Sequence, residues 1–186
     1  MYRLTILVMV FALILSGCAP ASDYLEPGLQ LRDKLLNANC CKFVAKIRAS
    51  FDDAQYTFSL SCQADPKGTL TFSVISPEVI ADISGVIEKG SGKLTFDDKL
   101  LAFPMLADGE LSPISAPWVF YNAILSGYIR AAGQEEEFIR ISIDDTFQGE
   151  NLCVEVWFKE DTPVYAEVIW QGKNILSISI SGFEIL

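Results

Sequence analysis

From Cys41 to Val74 apolar residues fall at every second position, and this period limits the fold more than any other feature of the chain. Cys41, Phe43, Ala45, Ile47, Ala49 and Phe51 share one side of an extended segment, with Lys42, Lys46, Arg48 and Ser50 on the other. Beyond Asp52-Asp53-Ala54 the scheme repeats, with Tyr56, Phe58, Leu60 and Cys62 opposing Thr57, Ser59, Ser61 and Gln63. The turn Asp65-Pro66-Lys67-Gly68 leads to Leu70, Phe72 and Val74 against Thr69, Thr71 and Ser73. Side chains of a strand alternate between its faces, so three such segments in a row predict an antiparallel meander with one apolar and one polar face.

The same period returns later. A helical turn is expected over 78–81, then a hairpin with arms 83–89 and 93–97 about Gly90-Ser91-Gly92, and a strand over 99–103. Four further strands are expected over 138–147, 152–159, 163–171 and 174–185. Short strands punctuated by turns every 8 to 12 residues, roughly, make a large antiparallel sheet, and a wide twisted sheet curls.

Two segments change period. Over 25–39, Leu29, Leu31, Leu35 and Leu36 fall near one helical face, with Arg32, Asp33 and Lys34 largely off it. Ser112-Pro113 and Ser115-Ala116-Pro117 are helix-start signals for a stretch running to about Ala132, before Gly133. That stretch is apolar nearly all round (Trp118, Val119, Phe120, Tyr121, Ile124, Leu125), so it must be buried nearly all round. At about 15 residues, or roughly 22 Å, it is too short to cross a bilayer. Its place is against the apolar face of the sheet.

The first 18 residues say where the chain goes. A cationic start with Arg3 precedes a nearly unbroken apolar run from Leu4 to Leu15, then Ser16-Gly17-Cys18. A helix of that run reaches only about 18 Å, short of a spanning segment. Leu15-Ser16-Gly17-Cys18 resembles the lipobox of bacterial lipoproteins, which implies a diacylglyceryl thioether on Cys18 and cleavage before it. Two acyl chains, palmitate among the usual ones, hold a protein stably on a membrane without spanning it. The expected organisation is therefore a signal peptide over 1–17, a lipidated tether over 18–27 and one domain over 28–186. Ala19, where a retention aspartate would stand, points to the outer membrane in a diderm host; a monoderm host would carry the protein on the outer leaflet of its only membrane.

Loss of Arg3 with the signal leaves 13 of the 14 basic residues against 24 acidic ones, a charge of −11. Nucleic acid is therefore not expected as a partner. The chain has no histidine, and it has no GxSxG, P-loop or GxGxxG motif, so no enzyme chemistry is expected. Asp52-Asp53, Asp97-Asp98, Glu135-Glu136-Glu137 and Asp144-Asp145 read as solvated charge, mostly at turns. Glu155, Trp157, Lys159 and Glu167 would form a polar outer sheet face, open to water or to a partner protein. Cys40, Cys41, Cys62 and Cys153 admit three pairings, and strand parity favours Cys41 with Cys62. A Cys₄ zinc site would want two CxxC knuckles, which the spacing lacks.

The lipobox, helix, meander, "SPEVIADISG", the Gly-rich hairpin into "LTFDD", "SPISAPW", and the closing "TPVYAEVIWQGKNILSISISGFEI" follow one another in an order that resembles the LolA-like superfamily of exported lipid-handling proteins. The chain is also similar to the clostridial lipoproteins typified by GerS. The resemblance implies a mainly β (α+β) fold, a single curved antiparallel half-barrel of about 10 to 11 strands with helices over its concave apolar face. It also implies a membrane-anchored protein that holds a lipid or acyl chain there, with no cofactor besides the diacylglyceryl on Cys18. Phe43, Ile47, Phe58, Leu60, Phe72 and Val74 would supply the sheet wall of the cavity, and Trp118, Tyr121, Ile124 and Leu125 its helical cover. The same residues would make an ordinary core if side chains fill the space. LolA itself depends on a basic residue in its cavity; here Arg48 sits on a polar face and Arg130 near the expected helix end. GerS-type members implicate the alternative partner, an envelope enzyme acting on peptidoglycan or cortex.

Overall fold

The alternating segments form strands, and the two apolar-periodic segments form helices. The computed structural model describes residues 22–186 apart from 52–53, 82, 89–90, 97–98, 104–105, 108–109 and 148–149. The signal peptide, Cys18 and the turn residues Asp52, Asp53, Gly90, Asp97, Asp98, Gln148 and Gly149 lie outside the described residues. In chain order come α1 (Ser22–Asn37), β1 (Cys41–Phe51), β2 (Ala54–Ala64), β3 (Leu70–Ser76), a 3-10 turn (Glu78–Ile80), β4 (Ser84–Glu88), β5 (Ser91–Phe96) and β6 (Lys99–Phe103). There follow β7 (Leu106–Ala107), β8 (Glu110–Leu111), a second 3-10 turn (Pro113–Ser115) and α2 (Ala116–Ser126). The chain closes with β9 (Tyr128–Glu135), β10 (Phe138–Phe147), β11 (Glu150–Lys159), β12 (Thr162–Trp170) and β13 (Lys173–Ile185).

Eleven strands make one curved, open sheet in the order β6-β5-β4-β3-β2-β1-β13-β12-β11-β10-β9. It is two antiparallel meanders joined where the first strand pairs with the last, Ala45 opposite Ile180 and Ile47 opposite Ile178. Register shifts at Lys42/Val44, Ser59/Leu60, Ser142/Ile143, Trp157/Phe158 and Val168/Ile169 mark irregularities that bend and twist strands. The predicted mainly β half-barrel is the fold observed.

Local chemistry explains the tight places. The Asp65 carboxylate accepts the Lys67 and Thr69 N–H groups, each at 2.9 Å, and Gly68 takes the left-handed φ of +86° that a side chain would oppose. Gln171 and Gly172, at φ +50° and +75°, turn β12 into β13 with the handedness a two-residue hairpin needs.

Both helices depart from expectation. The first begins at Ser22, inside the expected tether, and ends at Asn37. Its buried stripe is Pro27, Gly28, Leu31 and Leu35, whereas Leu29 and Leu36 are half exposed. Gly28 is on that stripe because it lies against the sheet: a Cβ there would stand 2.6 Å from Ile141 Cδ1. The second helix stops at Ser126 rather than near Ala132. Gly127 turns extended and bonds its N–H to the Ala123 carbonyl at 2.8 Å. It packs so tightly that a Cβ would overlap Ile143 Cγ2 and stand 2.7 Å from the Ala123 oxygen. Residues 128–135 then pair with β10 as an edge strand, Ile129 opposite Ile143. A ladder of backbone hydrogen bonds outweighs the helical preference of so short a segment.

Candidate functional site

All ten residues expected to line the concave face meet in one apolar cluster. Phe43, Ile47, Leu60, Phe72, Val74, Trp118, Tyr121 and Ile124 are buried, while Phe58 and Leu125 are partly buried and packed against them. The opposite half of the face comes from strands that sequence reasoning placed but did not read as wall: Ile141 and Ile143 of β10, Val154, Val156 and Phe158 of β11, and Ile178 of β13. Their alternation with Arg140, Ser142, Glu155 and Trp157 carried that signal.

The helix is held on this face at both ends. Near its start, Trp118 Nε1 donates to the Gly68 carbonyl at 2.7 Å and Tyr121 Oη to the Asp65 carbonyl at 3.0 Å. At its end, Arg32 of α1 donates through Nε to the Ile124 carbonyl at 2.5 Å and through Nη2 to the Gly127 carbonyl at 2.7 Å. A cation at a helix C-terminus also meets the negative end of the dipole. Arg32 was assigned only to the polar side of α1 by its spacing. Between these anchors Phe120 sets its ring edge-on to Phe43, with centroids 5.8 Å apart, and Phe43 stacks on Phe183 at 5.7 Å.

The expected Cys41–Cys62 disulfide is not formed; both thiols are free and buried. Parity put them on one face, as found, but the register pairs Cys41 with Ala64 and Phe43 with Cys62. They are diagonal neighbours, whose Cα atoms stand roughly 7–8 Å apart in a regular ladder, too far for a bridge without moving backbone. Burial raises the Cys41 thiol from 9.0 to about 12 against the opposing bonds from Tyr121 and the Ala64 backbone. Burial also raises Cys62 and Tyr121, each further increased by the nearby Cys41. All three groups are thus neutral when folded and ionise more readily once unfolded. Their stabilising effect is complete below about pH 9 and is lost as the pH rises towards 12. Thermal melts followed by circular dichroism should therefore fall steeply in Tm above pH 9, and Cys62→Ala should shallow that fall.

The convex face carries charge in place of hydrocarbon. Glu155 is buried at 8% exposure and accepts Ser142 Oγ at 2.9 and 2.7 Å. Arg130 lies 4.0 Å from it and 3.5 Å from Asp144, and Arg140 lies 3.7 Å from it and 3.3 Å from Glu135. Arg130 also donates to Cys153 Sγ at 3.5 Å, and burial with the Glu155 charge raises that thiol to about 11. Tyr128, Arg130, Asp144, Cys153, Glu155 and Ile169 line part of a groove of about 620 Å³ here. Trp157 and Tyr165 pack ring to ring at 5.2 Å further along, and the Tyr165 hydroxyl donates to Glu167 at 2.7 Å. The polar outer face expected from Glu155, Trp157, Lys159 and Glu167 is thus present, Lys159 pairing with Glu137 at 3.0 Å. Arg130 is on the edge strand β9, and neither it nor Arg48 enters the apolar cluster. Among the described residues no group of three Cys, Asp or Glu side chains is arranged to hold a metal.

No protein-family model matches the chain, and no curated protein matches it. Solved structures do. A LolA superfamily protein from Nitrosomonas europaea aligns over 91% of this chain and 94% of its own, at 8% identity and a TM-score of 0.47. A DUF1329 family protein from Desulfovibrio piger aligns over 90% and 94%, at 8% identity and a TM-score of 0.50. The chain shares its fold with the DUF1329 family protein. A chain in the complex of the CwlD amidase with the GerS lipoprotein from Clostridioides difficile aligns over 86% of this chain and 94% of its own, at 12% identity and a TM-score of 0.42. At such identities a likeness is one of fold alone.

Proposed function

We propose that this is an exported, non-enzymatic lipoprotein, tethered by diacylglyceryl on Cys18, whose LolA-like half-barrel holds a lipid acyl chain against its concave face. The observation that carries the reading is the chemistry of that face. Six sheet residues and four helix residues picked for their apolar character converge in one cluster. The one charged side chain among the described buried residues, Glu155, belongs to the other side of the sheet. An apolar sheet face under a firmly held helix is the kind of surface that would meet a ligand through hydrocarbon contact. Cavity-lining roles for Phe43, Ile47, Phe58, Leu60, Phe72, Val74, Trp118, Tyr121, Ile124 and Leu125 follow from this reading. The test is native mass spectrometry of the unlipidated chain from Ala19. One lipid per protein is expected to survive desalting and to leave on collisional activation; a chain recovered empty from cells and after incubation with phospholipid refutes the proposal.

A second reading, a lipoprotein that docks or activates an envelope enzyme of peptidoglycan or cortex, is favoured by the convex face. The groove beside Arg130 and the buried Glu155 offers directional charge that a merely solvated sheet does not need. It requires a stoichiometric protein partner on gentle detergent extraction of membranes.

A further inference from the structure

We propose that the convex face carries a docking groove for a partner protein, in which Phe138, Trp157 and Tyr165, rimmed by Glu135 and Glu136, receive a lysine or arginine side chain. The partner rests on the second reading above; the preference of the groove for a cation does not.

A sheet face turned to water is expected to be polar, and much of this one is, with Arg140, Ser142 and Asp144 on β10 and Cys153, Glu155 and Lys159 on β11. Three aromatic side chains on neighbouring strands break that pattern. Phe138 opens β10 on the face of Arg140 and pairs with Glu135 of β9. Trp157 stands opposite Arg140 on one side and Tyr165 of β12 on the other. All three rings are only half-buried, so the core does not account for them. Beside them the register slips: Trp157 pairs with Tyr165 but Phe158 with Pro163, which leaves Val164 as the extra residue of a bulge. A bulge re-aims side chains. Val164 joins the three rings, Glu135 and Glu136 around a groove of about 390 Å³. That is at the small end of ligand-sized clefts, and it suits one long side chain better than a lipid.

Charge and ring geometry select the occupant. The Trp157 and Tyr165 rings meet at an interplanar angle of 55°, so neither covers the face of the other. An aromatic face is the negative part of the ring quadrupole and attracts a cation. The protein already shows this pairing beside the groove, with Lys159 Nζ 6.0 Å from the Phe138 centroid. The cations nearby are engaged. Arg140 Nε lies 3.3 Å from Glu135 and 3.7 Å from Glu155, and Lys159 lies 3.0 Å from Glu137. Arg48 acts on Tyr165 less strongly than Glu167 does. Among the described residues no cation lines the groove, and none pairs with the Glu136 carboxylate. An anion would meet repulsion here, and a neutral apolar group would leave the rim carboxylates unused. Lysine and arginine meet both demands, laying a hydrocarbon stem on the rings and setting a charge beside Glu136.

The test uses the full chain, processed in a bacterial host and held in nonionic detergent, and follows the anisotropy of a dye-labelled, end-blocked peptide of alternating arginine and glycine. The same peptide with citrulline for arginine keeps the shape and loses the charge. The arginine peptide should bind about tenfold more tightly than the citrulline one, and Trp157→Ala should remove most of that difference. Glu135→Gln combined with Glu136→Gln, which leaves the rings in place, should weaken binding to a similar extent, whereas Glu88→Gln on β4 should change nothing. Equal binding of the two peptides, or arginine binding that survives Trp157→Ala, means a diffuse acidic surface and overturns the groove. Binding of tri-N-acetylchitotriose in place of the peptide makes the rings a sugar platform and overturns it too. Peptide binding with no protein recovered from membranes refutes the second reading and leaves the cation preference standing; a partner recovered while the peptide fails to bind refutes the groove alone.

Discussion

Phe120→Ala should lower the unfolding free energy by about 3–5 kcal/mol, moving the urea midpoint far below that of the wild type with little change in slope. Phe120 is fully buried in the middle of α2 and meets Phe43 edge to face; Phe43 in turn stacks on Phe183. The three rings tie the helix to the strand pair β1–β13, where the two meanders join. Removing one ring loses its transfer from water and roughly 0.5–1.5 kcal/mol of ring–ring contact. The space left behind cannot close easily. Trp118 and Tyr121 fasten one end of the helix to the β2–β3 turn, and Arg32 fastens the other. A loss under about 1.5 kcal/mol would show that the helix settles onto the sheet and that these fastenings give way.

The full chain, processed in a bacterial host, should partition entirely into the detergent phase, and a chain begun at Ala19 entirely into the aqueous phase. Two acyl chains on Cys18, at about 0.8 kcal/mol for each buried CH₂, would dominate any other membrane contact of the protein. Among the described residues no helix is long and apolar enough to cross a membrane, and so acidic a chain offers little to anionic headgroups. Intact mass should show a chain beginning at Cys18 with the diacylglyceryl mass added. Cys18→Ser should instead retain residues 1–17, because cleavage at a lipobox follows lipidation. An unmodified Cys18 in the full-length protein would remove the anchor from the proposed function.

Much of the sheet was legible because its signal is local. Alternation in β1, β2 and β3 assigns each side chain to a face, and the observed burial of β3 alternates residue by residue. The turn chemistry of Asp65-Pro66-Lys67-Gly68 acts within five residues, so its position followed as well. The end of α2 was not legible. Its apolar run continues past Gly127, and the reason to stop is contact with Ile143, sixteen residues on. The buried stripe of α1 was misread for a related cause. Four leucines fit a helical face, but the sheet selects Leu31 and Leu35 together with Pro27 and Gly28. Arg32 reaches partners more than ninety positions away, and no spacing rule relates them.

By itself the sequence determined a mainly β chain with one apolar sheet face, an apolar helix to cover it, an acidic exterior and an N-terminus resembling a lipoprotein signal. Those properties follow from periodicity and composition, which are written along the chain. Tertiary structure alone decided which cysteines are near one another without bonding, where the helices end, which arginine holds α2, and that Glu155 is buried between two arginines on the convex face. Each of these depends on strand register and on the approach of distant segments, where a shift of one residue exchanges one face for the other.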